Sequence, residues 1–306
     1  MERNKGLSIF SFNVFEMKKF FYRLFLFASP LIVFMLVNMT INYCIYSHRA
    51  VNIAGTEVLI LGDSHLMTAV DTRLFRNAKN ICQSAEPPVV SYWKLKKILE
   101  TNKPNQIVFG FAPHTISACN DFRLSDPKWS KELFRRIYSI QDFNAVKNHV
   151  LVDWISYYQA LWKQTAFFPK KTHENYIGKF SAKTSSTISD WKHAIHSHYY
   201  SNEKVHPVSD LSIAYTDSIV ELCKLKEVSI VFAGSPVHKR YYDEVPKSIS
   251  VGYDRLTDLY EQQDVPVFNK TQDDSYADSL FFDVHHLNQA GAKRYTAELM
   301  EYLDKL

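Results

Sequence analysis

The chain has 306 residues, 46% of them hydrophobic and 14% aromatic, with a formal net charge of +4. That is enough apolar material for one large domain or two small ones. No long Lys/Arg run is present, which argues against a nucleic-acid binder. Eight glycines exclude a collagen-like or low-complexity chain.

From Leu24 to Ile45 the sequence LFLFASPLIVFMLVNMTINYCI carries no charge. About 22 such residues suffice to cross a bilayer core as a helix, and Pro30 near the start is tolerated in a membrane. Arg3, Lys5, Lys18, Lys19 and Arg23 precede the run, whereas only Arg49 stands between it and Glu57. This excess predicts residues 1–23 in the cytoplasm, a transmembrane anchor over 24–46, and a domain over 50–306 outside, in the periplasm or at the cell exterior. A cleaved signal peptide is the competing reading. Against it stand the length of the run, the long leading segment and the lack of a clear small-x-small cleavage site.

Beyond the anchor, short apolar runs bounded by turn residues read as five strands. They are EVLIL (57–61), AKNIC (78–82), QIVFGF (106–111), VSIVFAG (228–234) and VPVFN (265–269). Between and after them, residues 89–102, 209–227, 253–263 and 288–306 read as helices. Strand and helix alternating in this way predict a parallel sheet with helices on both faces. Residues from about 114 to 205 break the rhythm and are rich in Trp, Tyr, Phe and Lys, with WISYYQALWKQTAFF (154–168) at their centre. They read as a mainly helical insertion after the third strand, either a cap that packs on the sheet or a lid or binding surface. Cys44, Cys82, Cys119 and Cys223 have no metal-ligand spacing, and no disulfide is required by their positions.

The first strand runs into LGDSHLM (61–67). In an open parallel sheet, ligands collect beyond the carboxyl ends of the strands, which places Ser64 at the functional edge. A lone Ser is a poor nucleophile and needs a base, itself oriented by a third group. FFDVHHLNQAGAKRY (281–295) supplies both: Asp283 and His286 lie three apart, just before the last helix. Asp71, Asp273, Asp274 and Asp278 lack that spacing to His286.

Gly-Asp-Ser after strand one, together with D-V-H-H-L-N before a C-terminal helix, resembles the SGNH, or GDSL, hydrolase superfamily. The resemblance covers residues from about 55 to 306 apart from the insertion. It implies a three-layer α/β/α, flavodoxin-like fold, with Ser64 as nucleophile, His286 as general base and Asp283 as its partner. It implies no cofactor. It also implies an oxyanion hole made by the nucleophile's N–H, a Gly in a second block and an Asn in a third. The second block here reads NICQSAEPP, with Ser84 or Ala85 at the Gly position, where a main-chain donor still serves. The third reads GFAPHTIS, with Ala112 near the Asn position, Pro113 lacking an N–H, and His114 as the substitute donor. Asn120-Asp121 comes several residues late. Departures of this kind, with one N-terminal anchor, resemble the membrane-anchored branch that includes alginate O-acetylation proteins and the D-alanyl transfer protein of teichoic acids. That branch implies an acylated glycan or acyl donor as substrate and a multi-pass membrane acyltransferase as partner.

Of the other histidines, His65 reads as a supporting residue beside the nucleophile, and His238, after strand four, as a substrate contact or a surface residue. The His285–His286 pair lacks a carboxylate/Cys set for a metal, and no metal is expected. His193, His196, His198 and His206 read as a solvated helix face rather than a metal tract. Two functions follow. One is an anchored serine esterase or O-acyltransferase acting on acyl, foremost acetyl, groups of envelope or exported polysaccharide. The other is a non-catalytic scaffold of the same fold within a membrane acyltransferase or polysaccharide export complex.

Overall fold

The structure is a computed structural model and describes residues 14–49, 51, 53–142, 144, 147, 152–188 and 191–306. Helix α1 (Val14–His48) is long and apolar enough to cross a membrane. The sheet follows, with β1 (Val58–Leu61), β2 (Ala78–Asn80), β3 (Gln106–Gly110), β6 (Ser229–Gly234) and β7 (Val267–Asn269). The order is β2-β1-β3-β6-β7 and every pairing is parallel. Each predicted strand is present, trimmed at its ends.

Alternation along the strands builds three layers. Leu59, Leu61, Ile107, Phe109, Ile230 and Phe232 face one side. There they pack with α3 (Pro88–Ile98), α7 (Asp210–Leu225) and α9 (Lys247–Gln262), through residues such as Val90, Ile219 and Tyr253. Ile60, Val108 and Ala233 face the other side, against Leu66 of α2 (Ser64–Ala69) and Tyr295 and Leu299 of α10 (Gln289–Leu303). Helix α9 begins at Lys247, after Pro246, six residues earlier than the periodicity predicts, because Ile249 and Tyr253 continue its buried face.

Between β3 and α7 lie α4 (Pro127–Ile137), α5 (Trp154–Thr165) and α6 (Trp191–Tyr199), with two 3₁₀ turns at Pro113–Ile116 and Ala118–Leu124. The segment also holds a strand pair that the sequence reading missed, β4 (Tyr200–Ser201) and β5 (Lys204–Val205). Its turn residues Asn202 and Glu203 both take positive φ, as a tight hairpin requires. Leu133, Phe134, Ile137, Ala160 and Ile195 join the main core, so the insertion packs firmly on the sheet's helix layer. Short α8 (Lys239–Tyr242) follows β6.

Candidate active site

The chain leaves β1 for β2 on one side and returns to β3 on the other, so β1 and β3 flank the switch point where open α/β sheets form a crevice. Ser64, the first residue of α2, stands there. Gly62 makes the turn at φ +142°, and a Cβ on it would sit 3.2 Å from the Cα and N of Gly110. Asp63 caps α2, its Oδ1 accepting the His65 N–H at 2.9 Å, while Oδ2 accepts from His114 Nε2 at 2.6 Å. Burial works to raise the Asp63 pKa, but the His114 ring and the His65 N–H outweigh it and hold the carboxyl below its ordinary range.

The far end of the chain supplies an imidazole that faces Ser64. Phe281 and Leu287 form an antiparallel bridge, and the Phe282 N–H donates to the His286 carbonyl at 2.8 Å. Asn288 caps α10, accepting from the N–H groups of Ala290 and Gly291, and its Nδ2 donates to the carbonyls of Ser279 and Phe281. This explains the Leu-Asn after the histidines: one side chain enters the core, the other ties the loop to the helix. At the loop tip Asp283 Oδ1 accepts the backbone N–H groups of His285 and His286, at 3.0 and 2.9 Å.

The same carboxylate accepts from the His286 ring, Nδ1 to Oδ2 at 2.9 Å and to Oδ1 at 3.1 Å. With Nδ1 protonated, Nε2 accepts from the Ser64 hydroxyl at 2.9 Å. Burial alone would raise the Asp283 pKa, but the His286 hydrogen bond and charge bring it down to about 2. The acid is therefore ionised and fixes the imidazole tautomer that can take a proton from Ser64.

A cavity of about 690 Å³ opens beside this chain of bonds. Ser84 and Ala85 line it together with Ser64. Ala85 takes φ +56°, the left-handed region that favours glycine. Its loop is braced by a buried network in which Lys94 Nζ bonds Glu86 Oε2 at 2.5 Å and the Ile81 carbonyl at 2.7 Å. Arg123, Lys128 and Trp129 form another part of the wall. Arg123 is buried, its Nη1 has no hydrogen-bond partner among the described residues, and its guanidinium lies 5.7 Å from the Trp129 ring centroid.

Two other candidates stand elsewhere. The His114 ring is committed to Asp63 and is not part of the cavity lining. His238 caps α8, accepting from the Arg240 N–H at 3.2 Å, and meets Asp278 Oδ1 at 3.1 Å beside a separate cavity. Its backbone N–H donates to the Val284 carbonyl at 2.9 Å. Asn120 is buried, donating to the carbonyls of His114 and Thr115.

The histidine tract divides. His193 lines the cavity, His196 is exposed, His206 is buried, and His198 lies against the site rather than on a solvated face. His198 Nδ1 bonds the Tyr241 hydroxyl at 2.6 Å. The spacing of Ala194, Ile195, His198 and Tyr199 is the signal for this burial: they share one helix face. His65 stacks on His114 with ring centroids 3.9 Å apart, and neither of its ring nitrogens has a hydrogen-bond partner among the described residues. Burial, then the neighbouring histidines, push His65 and His198 well below the ordinary range, and the same causes take His285 to about 3. His65, His198 and His285 form one group whose ring nitrogens lie within 4.8 Å of one another and could hold a metal ion; Asp63 with His65 and His114, and Asp283 with His285 and His286, form two more. The sequence reading missed the first group because its members are 87 or more positions apart in pairs involving His285 and more than a hundred apart between His65 and His198.

No protein-family model matches the sequence, and no curated protein matches it. Among solved structures, the chain is similar in shape to a protein from Bacteroides fragilis assigned as an acylhydrolase, at 11% identity, 85% of this chain and 92% of that one, with a TM-score of 0.42. A Streptococcus pneumoniae protein assigned as a platelet activating factor matches at 12% identity over 92% and 98% of the two chains, with a TM-score of 0.43. The lipase/acylhydrolase from Enterococcus faecalis matches at 12% identity over 81% and 95%, with a TM-score of 0.39.

Proposed function

We propose that this protein is a membrane-anchored serine esterase or O-acyltransferase of the SGNH type. One observation carries the reading: the unbroken chain of hydrogen bonds from Ser64 Oγ through His286 to Asp283. Ser64 Oγ attacks the acyl carbonyl as its proton passes to His286 Nε2. The C–O bond to the leaving alcohol breaks, and the alcohol takes that proton. Water or a sugar hydroxyl, deprotonated by the same ring, then attacks the acyl-Ser64 ester; the acyl–Oγ bond breaks and the proton returns from His286 Nε2 to Ser64 Oγ. The backbone N–H groups of Ser64 and Ala85 are the donors proposed for the oxyanion, each worth a few kcal/mol.

The substrate is an acylated, foremost acetylated, polysaccharide of the envelope or an exported one, met on the outer side of the cytoplasmic membrane beside a multi-pass acyltransferase. Support comes from the apolar helix α1, the basic residues ahead of it, and a cavity wide enough for a sugar ring beside the Trp129 indole. The Arg123 and Lys128 side chains favour an acidic glycan at that wall.

Fluorophosphonate labelling of the full chain tests this. Labelling of wild type that is lost in both Ser64→Ala and His286→Ala supports an activated nucleophile. A second reading, a non-catalytic scaffold, is favoured by the engagement of His114 with Asp63, which takes up the donor expected to replace the third block's Asn. Absence of labelling in folded wild type, alone and with its membrane partner, would establish the scaffold.

A further inference from the structure

Helix α5 and the residues just after it carry an apolar face that, among the described residues, is left largely exposed. Ile155 is 72% exposed, Tyr158 61% and Phe168 72%, and Trp162 and Phe167 are exposed as well. Ile155, Tyr158 and Trp162 stand at i, i+3 and i+7, one stripe of the helix. The opposite face, with Ser156 and Ala160, is buried. Contiguous exposed faces of this kind mark interaction sites.

Helix α1 indicates what covers it. Asn42, inside the uncharged run, donates from Nδ2 to the carbonyls of Thr165 and Phe168, at 2.8 and 2.9 Å. Its Oδ1 accepts from the Lys170 N–H and from His173 Nε2, both at 2.9 Å. The last carbonyls of a helix have no partner within the helix and normally turn to water. Here an amide from the membrane anchor satisfies one of them, as a hydrocarbon environment demands. Two turns nearer the N-terminus of α1, the Phe34 ring stands edge-on to Phe168 at 6.3 Å. Phe34 precedes Asn42 by eight residues, about 12 Å along the axis. The run Leu24–Ile45 must cover a core about 30 Å thick. A bilayer that encloses it therefore reaches the level of Phe168.

We propose that the Ile155–Tyr158–Trp162 stripe of α5 and the Phe167–Phe168 turn are immersed in the leaflet on the C-terminal side of α1, with lipid as their partner. This rests on α1 spanning the membrane. Trp and Tyr suit the interface between acyl chains and headgroups, and exposed Lys163 and Lys171 border the face for anionic headgroups. The arrangement also fixes the active site relative to the bilayer. Helix α4, whose Lys128 and Trp129 form part of the cavity wall, rests on α5 through Ser130 to Asp153 at 2.8 Å and the Phe134–Tyr157 ring pair. The cavity is thereby held at the membrane surface.

The test uses the full chain, reconstituted alone in phosphatidylcholine vesicles, with Cys44→Ser and a nitroxide on one introduced cysteine. Positions 155, 158 and 168 are compared with Leu225, exposed on the domain surface, and Leu31, exposed on α1. Collision rates with a polar nickel complex at 155, 158 and 168 should be about tenfold below that at 225, because hydrocarbon excludes polar solutes, and those with oxygen should be higher. Nickel access equal to that at 225, with 31 protected, overturns the lipid assignment and leaves the face to a protein partner. Nickel access at 31 as well overturns both the immersion and the membrane-spanning reading of α1.

Discussion

Two regions of the molecule solve different problems by different means. The Ser64 edge is built from short sequence blocks whose side chains close on themselves: Asp63 on the His65 N–H, Asp283 on His285 and His286, Asn288 on Ala290 and Gly291. The insertion is held by its apolar packing on the helix layer and by hydrogen bonds between distant residues. Asn42 reaches Thr165 across 123 positions, the Gln83 amide donates to the Asn175 carbonyl, and the Gly178 N–H donates to the Ile81 carbonyl. A site made locally can be altered without moving the fold. A segment made of long-range contacts cannot be altered without moving it.

The sharpest break of that comparison removes chemistry and keeps structure. Ser64→Ala and His286→Ala should each lower ester turnover by about 10⁴-fold or more, with thermal unfolding unchanged. Asp283→Asn should come close to this, because the wrong tautomer is then favoured. Turnover within tenfold of wild type in Ser64→Ala would place the nucleophile elsewhere.

The brace behind Ala85 should show the reverse, a large loss of stability. Lys94 and Glu86 are both fully buried, and burial holds the Glu86 carboxyl above its ordinary range despite Lys94. Lys94→Met strands that acid and should cost about 3–5 kcal/mol, whereas the double change Glu86→Leu/Lys94→Met should recover most of it. Urea unfolding in a mild detergent measures both; equal losses in the single and double variants would mean that the pair does not act as a unit.

This difference in construction is also why the sequence was legible at one region and not at the other. Strand alternation and the Asp283/His286 spacing are visible within a few letters, and they led to the sheet and to the three residues that the fold brings together. Ala85 in a glycine conformation was within reach of the same block reading. Arg123 was not, since nothing near it in sequence signals that its guanidinium faces the cavity of Ser64. His198 was misread because one helix face was judged without knowing what it rests on. The role of Asn42 was hidden for the same reason: a polar residue in an apolar run reads as a blemish until its partners across the fold are seen.

Gly178 tests the insertion's docking at smaller cost. A Cβ there would meet the Cys82 carbonyl oxygen at 1.8 Å, so backbone must move. Gly178→Ala should cost about 1–3 kcal/mol and raise protease cleavage within 114–205 more than elsewhere. Uniform cleavage along the chain would instead mean that insertion and sheet unfold together.

The smallest effect concerns the buried histidines, and its sign follows from linkage. His65, His198 and His285 all have pKa values below the ordinary 6.5 in the folded state, about 3 for His285. Above about pH 6.5 these rings are neutral whether the chain is folded or not, and their contribution is flat. Between that value and the folded one, the unfolded chain binds protons that the folded chain refuses, so stability falls as pH falls. Each ring adds up to about 1.4 kcal/mol per pH unit to that slope. Asp283, held at about 2, adds its own loss only below about pH 4. Unfolding of the full chain at pH 7.5, 6.5 and 5.5 should therefore show a shallow slope above 6.5 and a steep one below. His65→Phe removes one proton acceptor while keeping a ring on His114, and it should flatten only the lower limb. An unchanged lower limb in that variant would mean that His65 is already protonated in the folded protein, and that the group of rings beside Ser64 carries a charge rather than a set of open lone pairs.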